Sequence, residues 1–166
     1  MSLPVLLMRL LLILLSLAAT LVVLTVALGR GLRHKGFRDR VRRLNRERWN
    51  PIALRSAGKH SSGFAALTHL GRRSGRAYTT PVRAIPFGDG FVIPLPYGAD
   101  TDWCRNVRAA GSCTLRWQEQ DFLLGHPDVV PFTHAARLFP LAERVTDAAT
   151  GITQCLALHP CREVSE

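Results

Sequence analysis

The chain has 166 residues, a formal net charge of +10 at pH 7 and a hydrophobic fraction of 47%. A chain of this length has room for one ordinary domain. Its four cysteines show no CxxC and no partnered CxxH spacing, which excludes the usual zinc and redox-disulfide signatures and predicts four free, mostly buried thiols.

The segment from residue 10 to residue 29 reads LLLILLSLAATLVVLTVALG, with no charge and only Ser16, Thr20 and Thr25 as polar groups. At 1.5 Å per residue it spans about 30 Å, the thickness of a bilayer's hydrocarbon core. A signal peptide is the main alternative, but its apolar run is typically only about 7 to 15 residues. A buried helix of a soluble protein is a further alternative. The sequence therefore predicts one membrane-spanning helix within residues 1 to 30.

Most of the excess positive charge lies directly after this helix. Residues 30 to 48 carry nine Lys and Arg residues against two acidic ones, whereas residues 49 to 166 carry twelve basic and ten acidic residues. Such a cluster is retained on the cytosolic side and attracted to anionic lipid headgroups. Nucleic-acid binding would need basic residues interleaved with aromatic ones on the folded part, so no nucleic-acid partner is expected. The sequence predicts a single-pass membrane protein that contacts lipid through the helix and the basic segment, with its domain on the cytosolic side.

Between residues 36 and 48, apolar residues recur at spacings of four and three among arginines. This pattern predicts an amphipathic helix within a basic juxtamembrane segment, residues 31 to 50, lying on the membrane or against the domain. Asn50-Pro51 is expected to end the helix, because proline disfavours helical geometry at the residue before it. A polar loop is predicted over residues 54 to 62.

From residue 64 the pattern changes to strands and tight turns. Strands are predicted over residues 64 to 70, 78 to 87 and 91 to 97, separated by turns at 71 to 75 and 88 to 90. Prolines cannot donate to a strand ladder, so those in this region are expected at sheet edges or bulges. They are Pro81, Pro86, Pro94 and Pro96.

The remaining elements are a helix over residues 100 to 110, a hairpin of strands 112 to 118 and 121 to 126, and a last helix over about 132 to 147. Residues 148 to 166 show no clear period and are interpreted as a C-terminal tail with partial disorder. The sequence thus predicts a mainly β domain with helices (α+β), residues 51 to 147, containing about five to six antiparallel strands. One helix cannot cover both faces of such a sheet, so closure into a barrel or pairing with a second copy is expected.

The turn Gly71-Arg72-Arg73-Ser74-Gly75-Arg76 is the most informative local feature. Its glycines permit a tight backbone turn, and its guanidinium and hydroxyl groups are donors suited to a phosphate or carboxylate. A solvated turn without a ligand is the alternative. Further along, Trp103 and Asn106 are three residues apart on one face of a helix that begins near residue 100.

The run LTHLGRRSGRAYTTPVRAIPFGDGFVIPLPYGADTDWCRNVRAAGSCTLRW resembles the deazaflavin-dependent nitroreductase family, over residues 64 to about 130. The shared motifs are G-R-[RK]-[ST]-G, TPV and a Y-G pair followed by W-x-x-N. The resemblance implies a split β-barrel that uses the reduced deazaflavin coenzyme F420. It implies hydride transfer to a hydrophobic acceptor, either quinone-like or a nitro compound. It also implies the residues that bind the cofactor: Arg72, Arg73, Ser74, Gly75, Arg76, Thr80, Pro81, Tyr97, Gly98, Trp103 and Asn106.

Within this set, the resemblance implies that Arg72, Arg73 and Ser74 hold the cofactor's phosphate and acidic tail. It places Tyr97 and Gly98 along the deazaflavin ring, and Trp103 and Asn106 on the phosphate side. Trp103 has simple core packing as an alternative. No catalytic residue is assigned, and no catalytic triad, paired carboxylates or metal cluster is evident.

The sequence departs from the family in ways that bear on function. Tyr78 stands where some members carry a second basic residue, and Pro96-Tyr97 replaces a Ser-Lys pair, so Arg76 is expected to substitute in the phosphate grip. The C-terminal segment lacks the tyrosines that face the substrate in nitroreductase-type members. The alternatives are a split barrel binding FMN or haem, and a non-catalytic cofactor-binding membrane protein. Split barrels commonly dimerise, so a homodimer is a further expectation.

Isolated polar residues have simpler interpretations. His69 lies in a strand pattern, where a hydrogen-bonded structural imidazole is expected rather than an acid or base. His126 and Asp102 are likewise expected to have structural roles.

Overall fold

The N-terminal helix is long, apolar and solvent-facing in the computed structural model, which describes residues 3–33, 35–140, 144, 147 and 151–161. Helix α1 spans Leu3–Arg33, and its stretch Leu6–Ala27 has a mean hydropathy of 2.8 with no part buried against the rest of the chain. By length and composition this stretch can cross a membrane, a test that signal sequences also pass. Its three hydroxyl side chains donate to carbonyl groups one turn earlier, at 2.8 Å each, so they need no outside partner.

The helix predicted over residues 36 to 48 does not end at Asn50-Pro51. Helix α2 (Lys35–Leu44) runs into a π turn (Asn45–Trp49), which continues as helix α3 (Asn50–Leu54). Asn50 keeps helical dihedrals, and its N–H donates to the carbonyl of Asn45 in the wider π pattern. The prediction of a stop was wrong because Asn50 keeps helical geometry ahead of Pro51, and the chain passes the proline directly after the wider π turn.

The predicted α+β fold is confirmed, with seven antiparallel strands in the described part of the chain instead of five to six. They form one curled half-barrel sheet in the order β2-β1-β5-β6-β7-β4-β3. The strands are β1 (Ala65–Leu70), β2 (Ala77–Val82), β3 (Ile85–Phe87), β4 (Gly90–Pro94), β5 (Ser112–Trp117), β6 (Gln120–Pro131) and β7 (Gln154–Pro160), and the helices of this domain are α4 (Asp102–Ala110) and α5 (Phe132–Ala135).

The sheet must curl because its two outermost strands are consecutive in the chain. β2 and β3 lie at opposite ends of the strand order, yet only residues 83 and 84 join them. A connection of two residues cannot cross the width of a flat seven-stranded sheet. Pro81 lies on one edge strand and Pro86 on the other, so the edge placement predicted for these two prolines is confirmed.

Two predicted elements of the domain are interrupted in the structure. The strand predicted over residues 78 to 87 is two strands on opposite edges, because the chain changes edge at residues 83 and 84. The helix predicted over 132 to 147 is not continuous: α5 is followed by a 3-10 turn (Ala136–Leu138) and extended backbone at Phe139, ahead of Pro140. Residues 141–143, 145 and 146 of that prediction lie outside the described residues.

The predicted C-terminal tail contains a central strand of the sheet. β7 lies between β6 and β4 and pairs with both, and four consecutive residues from Cys155 to Leu158 are buried. A tail is therefore wrong for residues 154 to 160; residues 148–150 and 162–166 of that prediction lie outside the described residues. The alternation expected of a strand is absent because both faces of β7 are covered.

The core has one main cluster inside the half-barrel and a smaller one under α5. The main cluster includes Leu67, Leu115 and Leu156, each with no exposed surface, and the smaller one contains Phe132 and Phe139. The prediction of free, mostly buried thiols is confirmed, since three cysteines are buried and Cys161 is partly exposed. Burial is the largest influence on the buried thiols and raises the pKa of each. The values are about 11 for Cys104, about 12 for Cys113 and about 11 for Cys155.

Candidate functional site

The arginine-rich turn is a tight connection between β1 and β2. The N–H of Gly71 donates to the carbonyl of Arg76, and the N–H of Gly75 donates to the carbonyl of Gly71, both at 2.8 Å. Gly75 has a φ of +64°, which disfavours other residues. A β-carbon at Gly71 would lie 2.5 Å from Ser74 Oγ and 2.7 Å from Tyr78 Cε2. Glycine at position 71 therefore lets Tyr78 close over the turn.

Helix α4 holds Arg72 from two positions. The amide oxygen of Asn106 accepts the Arg72 backbone N–H at 3.2 Å and Arg72 Nη1 at 2.8 Å. The Asp102 carboxylate accepts Arg72 Nη2 at 3.3 Å. Asn106 is buried, whereas the side chain of Asp102 is 73% exposed, so the amide is the better-shielded partner. The Arg72 guanidinium is thus held in place by two residues of α4.

Behind Asn106 lies His69, which is 5% exposed. Asn106 Nδ2 is 3.3 Å from His69 Nδ1, and His69 Nε2 is 3.4 Å from Thr80 Oγ1. Tyr78 stacks on the imidazole, with ring centroids 6.1 Å apart. Burial lowers the pKa of His69, and a hydrogen bond with the Leu70 backbone partly offsets that. The hydrogen-bonded imidazole predicted for His69 is confirmed.

These residues border a groove of about 1,220 Å³. Its volume exceeds the roughly 300–1,000 Å³ of pockets for drug-sized ligands. Six arginines and four aspartates line it, which gives an excess of two positive charges. The groove lining includes nine of the eleven residues proposed from sequence, but neither Gly75 nor Arg76. The nine are Arg72, Arg73, Ser74, Thr80, Pro81, Tyr97, Gly98, Trp103 and Asn106.

One wall of the groove comes from the juxtamembrane helices, which lie far from the site motifs in sequence. Arg42 of α2 donates to the backbone carbonyl of Tyr97, 55 residues away. Arg43, Arg46 and Trp49 also line the groove. Burial raises the pKa of the Tyr97 phenol, and the nearby Arg42 charge opposes that shift. A local motif cannot reveal this wall, because the two segments meet only in the folded chain.

A partly buried ion pair lies where the chain changes sheet edge. Arg83 pairs with Asp147, whose side chain is 5% exposed, and the Arg83 guanidinium lies 5.1 Å from the centre of the Phe139 ring. Both charged residues line the groove. The pair joins the segment after Pro140 to the sheet, and no sequence signal identified it.

Two side chains match only part of what was expected of them. Trp103 packs against the main core cluster and also lines the groove. It therefore has the core-packing role given as the alternative, and it also lies at the predicted site. Tyr78, which replaces a basic residue of the family pattern, has its hydroxyl 3.2 Å from Ser74 Oγ. The Ser74 hydroxyl is therefore engaged within the turn.

Several polar groups in the groove have no hydrogen-bond partner within the part of the chain described above. They include the buried Nε of Arg42 and the buried hydroxyl of Thr101. The Arg73 side chain makes no hydrogen bond or ion pair with any described residue. The same described residues contain no group of three or more His, Cys, Asp or Glu that could hold a metal ion. The exposed Arg73 guanidinium therefore offers donors to an anionic or carbonyl-bearing ligand in the groove.

No protein-family model and no curated protein matches this sequence. Solved structures with a similar fold include an F420-H2 dependent reductase, with a TM-score of 0.41 and 14% identity over 58% of this chain and 94% of that chain. An F420 reductase has a TM-score of 0.44 and 13% identity, over 59% and 86% of the two chains. A conserved hypothetical protein from Mycobacterium tuberculosis has a TM-score of 0.44 and 14% identity, over 68% and 79%. These are similarities of fold.

Proposed function

We propose that this protein is an F420-dependent oxidoreductase that reduces a hydrophobic acceptor. The observation that carries the proposal is the position of Arg72, which α4 holds in the wall of a groove lined by the same motif residues that resemble the deazaflavin family. Arg73 lies beside it in the turn and lines the same groove.

The donor groups of the groove suit a ligand with an acidic end. A guanidinium has five N–H donors, and the contacts with Asn106 and Asp102 use two of those on Arg72. Arg73 adds a second guanidinium, and charge-assisted hydrogen bonds to phosphate are stronger than neutral ones. We expect these two arginines to bind the phosphate and acidic tail, although Ser74 is engaged with Tyr78.

The neighbouring wall suits a flat ring. Gly98 has a φ of +78°, and a β-carbon built there would have no atom within 4 Å, so the backbone can be approached closely. Tyr97 next to it is half-buried and its carbonyl is held by Arg42. Reduced F420 supplies a hydride when bound. The chain's own residues orient it through these contacts and limit water with the apolar residues Ile93 and Leu95, which line the groove.

A hydrophobic acceptor fits the end of the groove formed by the juxtamembrane helices. Trp49 lines the groove and is 65% exposed, and Ile52 beside it is 52% exposed. We propose that α1 spans the membrane, with the domain on the cytosolic side and the arginines of α2 near anionic headgroups. Anchoring raises the local concentration of lipid-soluble acceptors such as quinones. Reduction of a nitro compound is a second possibility for the acceptor, and a homodimer is proposed for the assembly.

The cofactor is tested by titrating the full-length protein in nonionic detergent micelles with oxidised F420, followed by the cofactor's fluorescence. The Arg72→Ala/Arg73→Ala variant should lose at least about 100-fold in affinity, because each charge-assisted hydrogen bond contributes about 1.5–3 kcal/mol. The Arg105→Ala/Arg108→Ala variant is the matched control, since it removes two arginines from the exposed side of α4, outside the groove.

FMN is titrated in parallel with the same proteins. If the protein binds FMN but not F420, the proposed cofactor is wrong and the protein is a flavin-binding split barrel. If it binds neither, the non-catalytic alternative is supported.

The acceptor is tested by comparing quinone reduction by the full-length protein in lipid nanodiscs with that of residues 31 to 166. We expect kcat/KM for a long-chain quinone to fall on removal of the helix, while that for a water-soluble quinone changes little. An unchanged kcat/KM for the long-chain quinone after removal of the helix would count against a membrane-dissolved substrate.

A further inference from the structure

Asn106 is a buried amide whose orientation is fixed by its neighbours. Its Oδ1 faces two N–H groups of Arg72, at 3.2 and 2.8 Å, so this atom must be the oxygen, which only accepts. Its Nδ2 therefore faces His69 Nδ1, at 3.3 Å, and an amide nitrogen only donates.

This geometry determines which tautomer of His69 fits. Because Asn106 Nδ2 donates, His69 Nδ1 must be unprotonated to accept. The proton of the neutral ring then lies on Nε2, which faces the hydroxyl of Thr80 at 3.4 Å, and a hydroxyl can accept it. The lowered pKa of His69 agrees with a ring that stays neutral at pH 7.

We propose that His69 is a positioning residue for the anion site: its neutral imidazole accepts from Asn106 Nδ2 and thereby keeps the amide oxygen directed at Arg72. Without an acceptor at this position, the buried amide loses a partner and its two orientations become closer in energy. The flipped amide would direct its NH₂ at the two N–H groups of Arg72, which cannot accept. Arg72 would then lose both contacts with Asn106.

Within the part of the chain that the structure describes, the charged and titratable groups around His69 are few, and none of them can replace it as the acceptor. The Leu70 backbone also makes a hydrogen bond with the ring. Tyr78 of β2 stacks on the ring, with its hydroxyl near Ser74. Arg72 in the turn only donates, and Asp102 of α4 bonds Arg72 from an exposed position. The identity of residue 69 therefore bears directly on the geometry of Arg72. The consequence for the cofactor, but not for Arg72 itself, rests on the proposed function.

The first test measures the full-length protein in detergent micelles at pH 7.5 by NMR, without ligand. The ¹⁵N shifts of His69 should show an unprotonated Nδ1 and a protonated Nε2. Hydrogen exchange of the Arg72 backbone amide, which donates to Asn106 Oδ1, should be faster by about three- to tenfold in His69→Leu and in Asn106→Ala. His69→Asn places a non-titrating acceptor near the Nδ1 position and should retain slow exchange.

A double-variant cycle separates positioning from a general loss of packing. If His69 acts only through Asn106, then His69→Leu/Asn106→Ala should exchange no faster than Asn106→Ala alone. The affinities for sulfate and for F420 should follow the same pattern as the exchange rates. They should be unchanged in His69→Asn, and three- to tenfold weaker in His69→Leu, in Asn106→Ala and in the double variant. A proton on Nδ1 in the wild type, or additive effects of the two substitutions on exchange, would overturn the proposal. If tautomer and exchange behave as expected but F420 does not bind, the proposed function fails and the role of His69 stands.

Discussion

At Gly90, a β-carbon would lie 2.0 Å from the carbonyl oxygen of Leu158 and 3.0 Å from the Cα of His159. Both atoms belong to the backbone of β7, so no side-chain rotation can relieve the contact. Gly90 begins β4, which pairs with β7, and the missing side chain permits this close approach.

Gly90→Ala is therefore expected to lower the free energy of unfolding by about 1–3 kcal/mol or more, as for other overpacked sites. Gly63→Ala is the matched control, because a β-carbon there meets no atom within 4 Å and should change stability by less than about 0.5 kcal/mol. Urea unfolding followed by tryptophan fluorescence measures both. Equal stability of the two variants would contradict the close approach of β4 and β7.

The cysteines are expected to differ sharply in reactivity. With pKa values of about 11 to 12, the buried thiols of Cys104, Cys113 and Cys155 are almost entirely protonated at pH 8, and the thiolate is the nucleophile. Cys161 is the one cysteine of the four that is not buried. One thiol should react with DTNB within minutes in the native protein and four after denaturation, and Cys161→Ser should abolish the rapid phase. A rapid phase that survives in Cys161→Ser would show that a buried thiol is accessible.

The lowered pKa of His69 makes the stability of the domain depend on pH. The unfolded chain takes up a proton near the usual pKa of 6.5, whereas the folded chain does so only at lower pH. The unfolded state therefore binds more protons in this interval, and the free energy of unfolding falls as pH falls from about 6.5 through the lowered pKa.

His69→Asn lacks this group, so the difference in free energy of unfolding between it and the wild type should shift in favour of the variant between pH 7.5 and pH 5. Urea titrations at the two pH values measure that difference. A constant difference would mean that His69 titrates alike in the folded and unfolded states.

At the scale of elements, β7 holds the sheet together. It pairs with both β6 and β4, and four of its consecutive side chains are buried, two of them leucines. Full burial of one leucine contributes about 1.5–3 kcal/mol, and a domain's net stability is only about 5–15 kcal/mol. Without β7 the sheet would also have two new unpaired edges.

A chain that ends after residue 150 should therefore not fold, whereas a chain that ends after residue 161 should. Limited proteolysis of both proteins in micelles distinguishes them, with rapid degradation of the domain expected only for the shorter one. A protease-resistant domain in the shorter chain would show that the other six strands suffice.

The elements that the sequence predicted share a local signal. The strands within residues 65 to 94 and helix α4 have turns, caps or alternation nearby, and most of the site residues belong to the same stretch. β7 was missed because its continuous burial removes the alternation that identifies a strand. The contact between Arg42 and Tyr97 was missed because it joins residues 55 positions apart, and only the tertiary structure brings them together.

For the whole molecule, the main prediction concerns the membrane span that we propose for α1. The proposed membrane span predicts that the full-length chain stays in the membrane fraction after alkaline carbonate, which removes proteins held only by charge. Leu14→Arg/Leu21→Arg should release it, because an arginine near the centre of a spanning helix costs about 2.5–3.5 kcal/mol. Leu123→Arg/Leu138→Arg, at exposed positions of the domain, should not. Retention of the Leu14→Arg/Leu21→Arg variant in the pellet would argue against a spanning helix.

The two-residue link between the edge strands also limits how the molecule can adapt to a ligand. Val82 and Ile85 are three Cα steps apart, so the two edges cannot separate by more than about 11 Å at that end. Val82 and Arg83 line the groove, so this short connection is part of its wall. The width of the site at this end is thus limited by the length of the chain itself. A bulkier acceptor has to be accommodated where the groove lining belongs to the juxtamembrane helices.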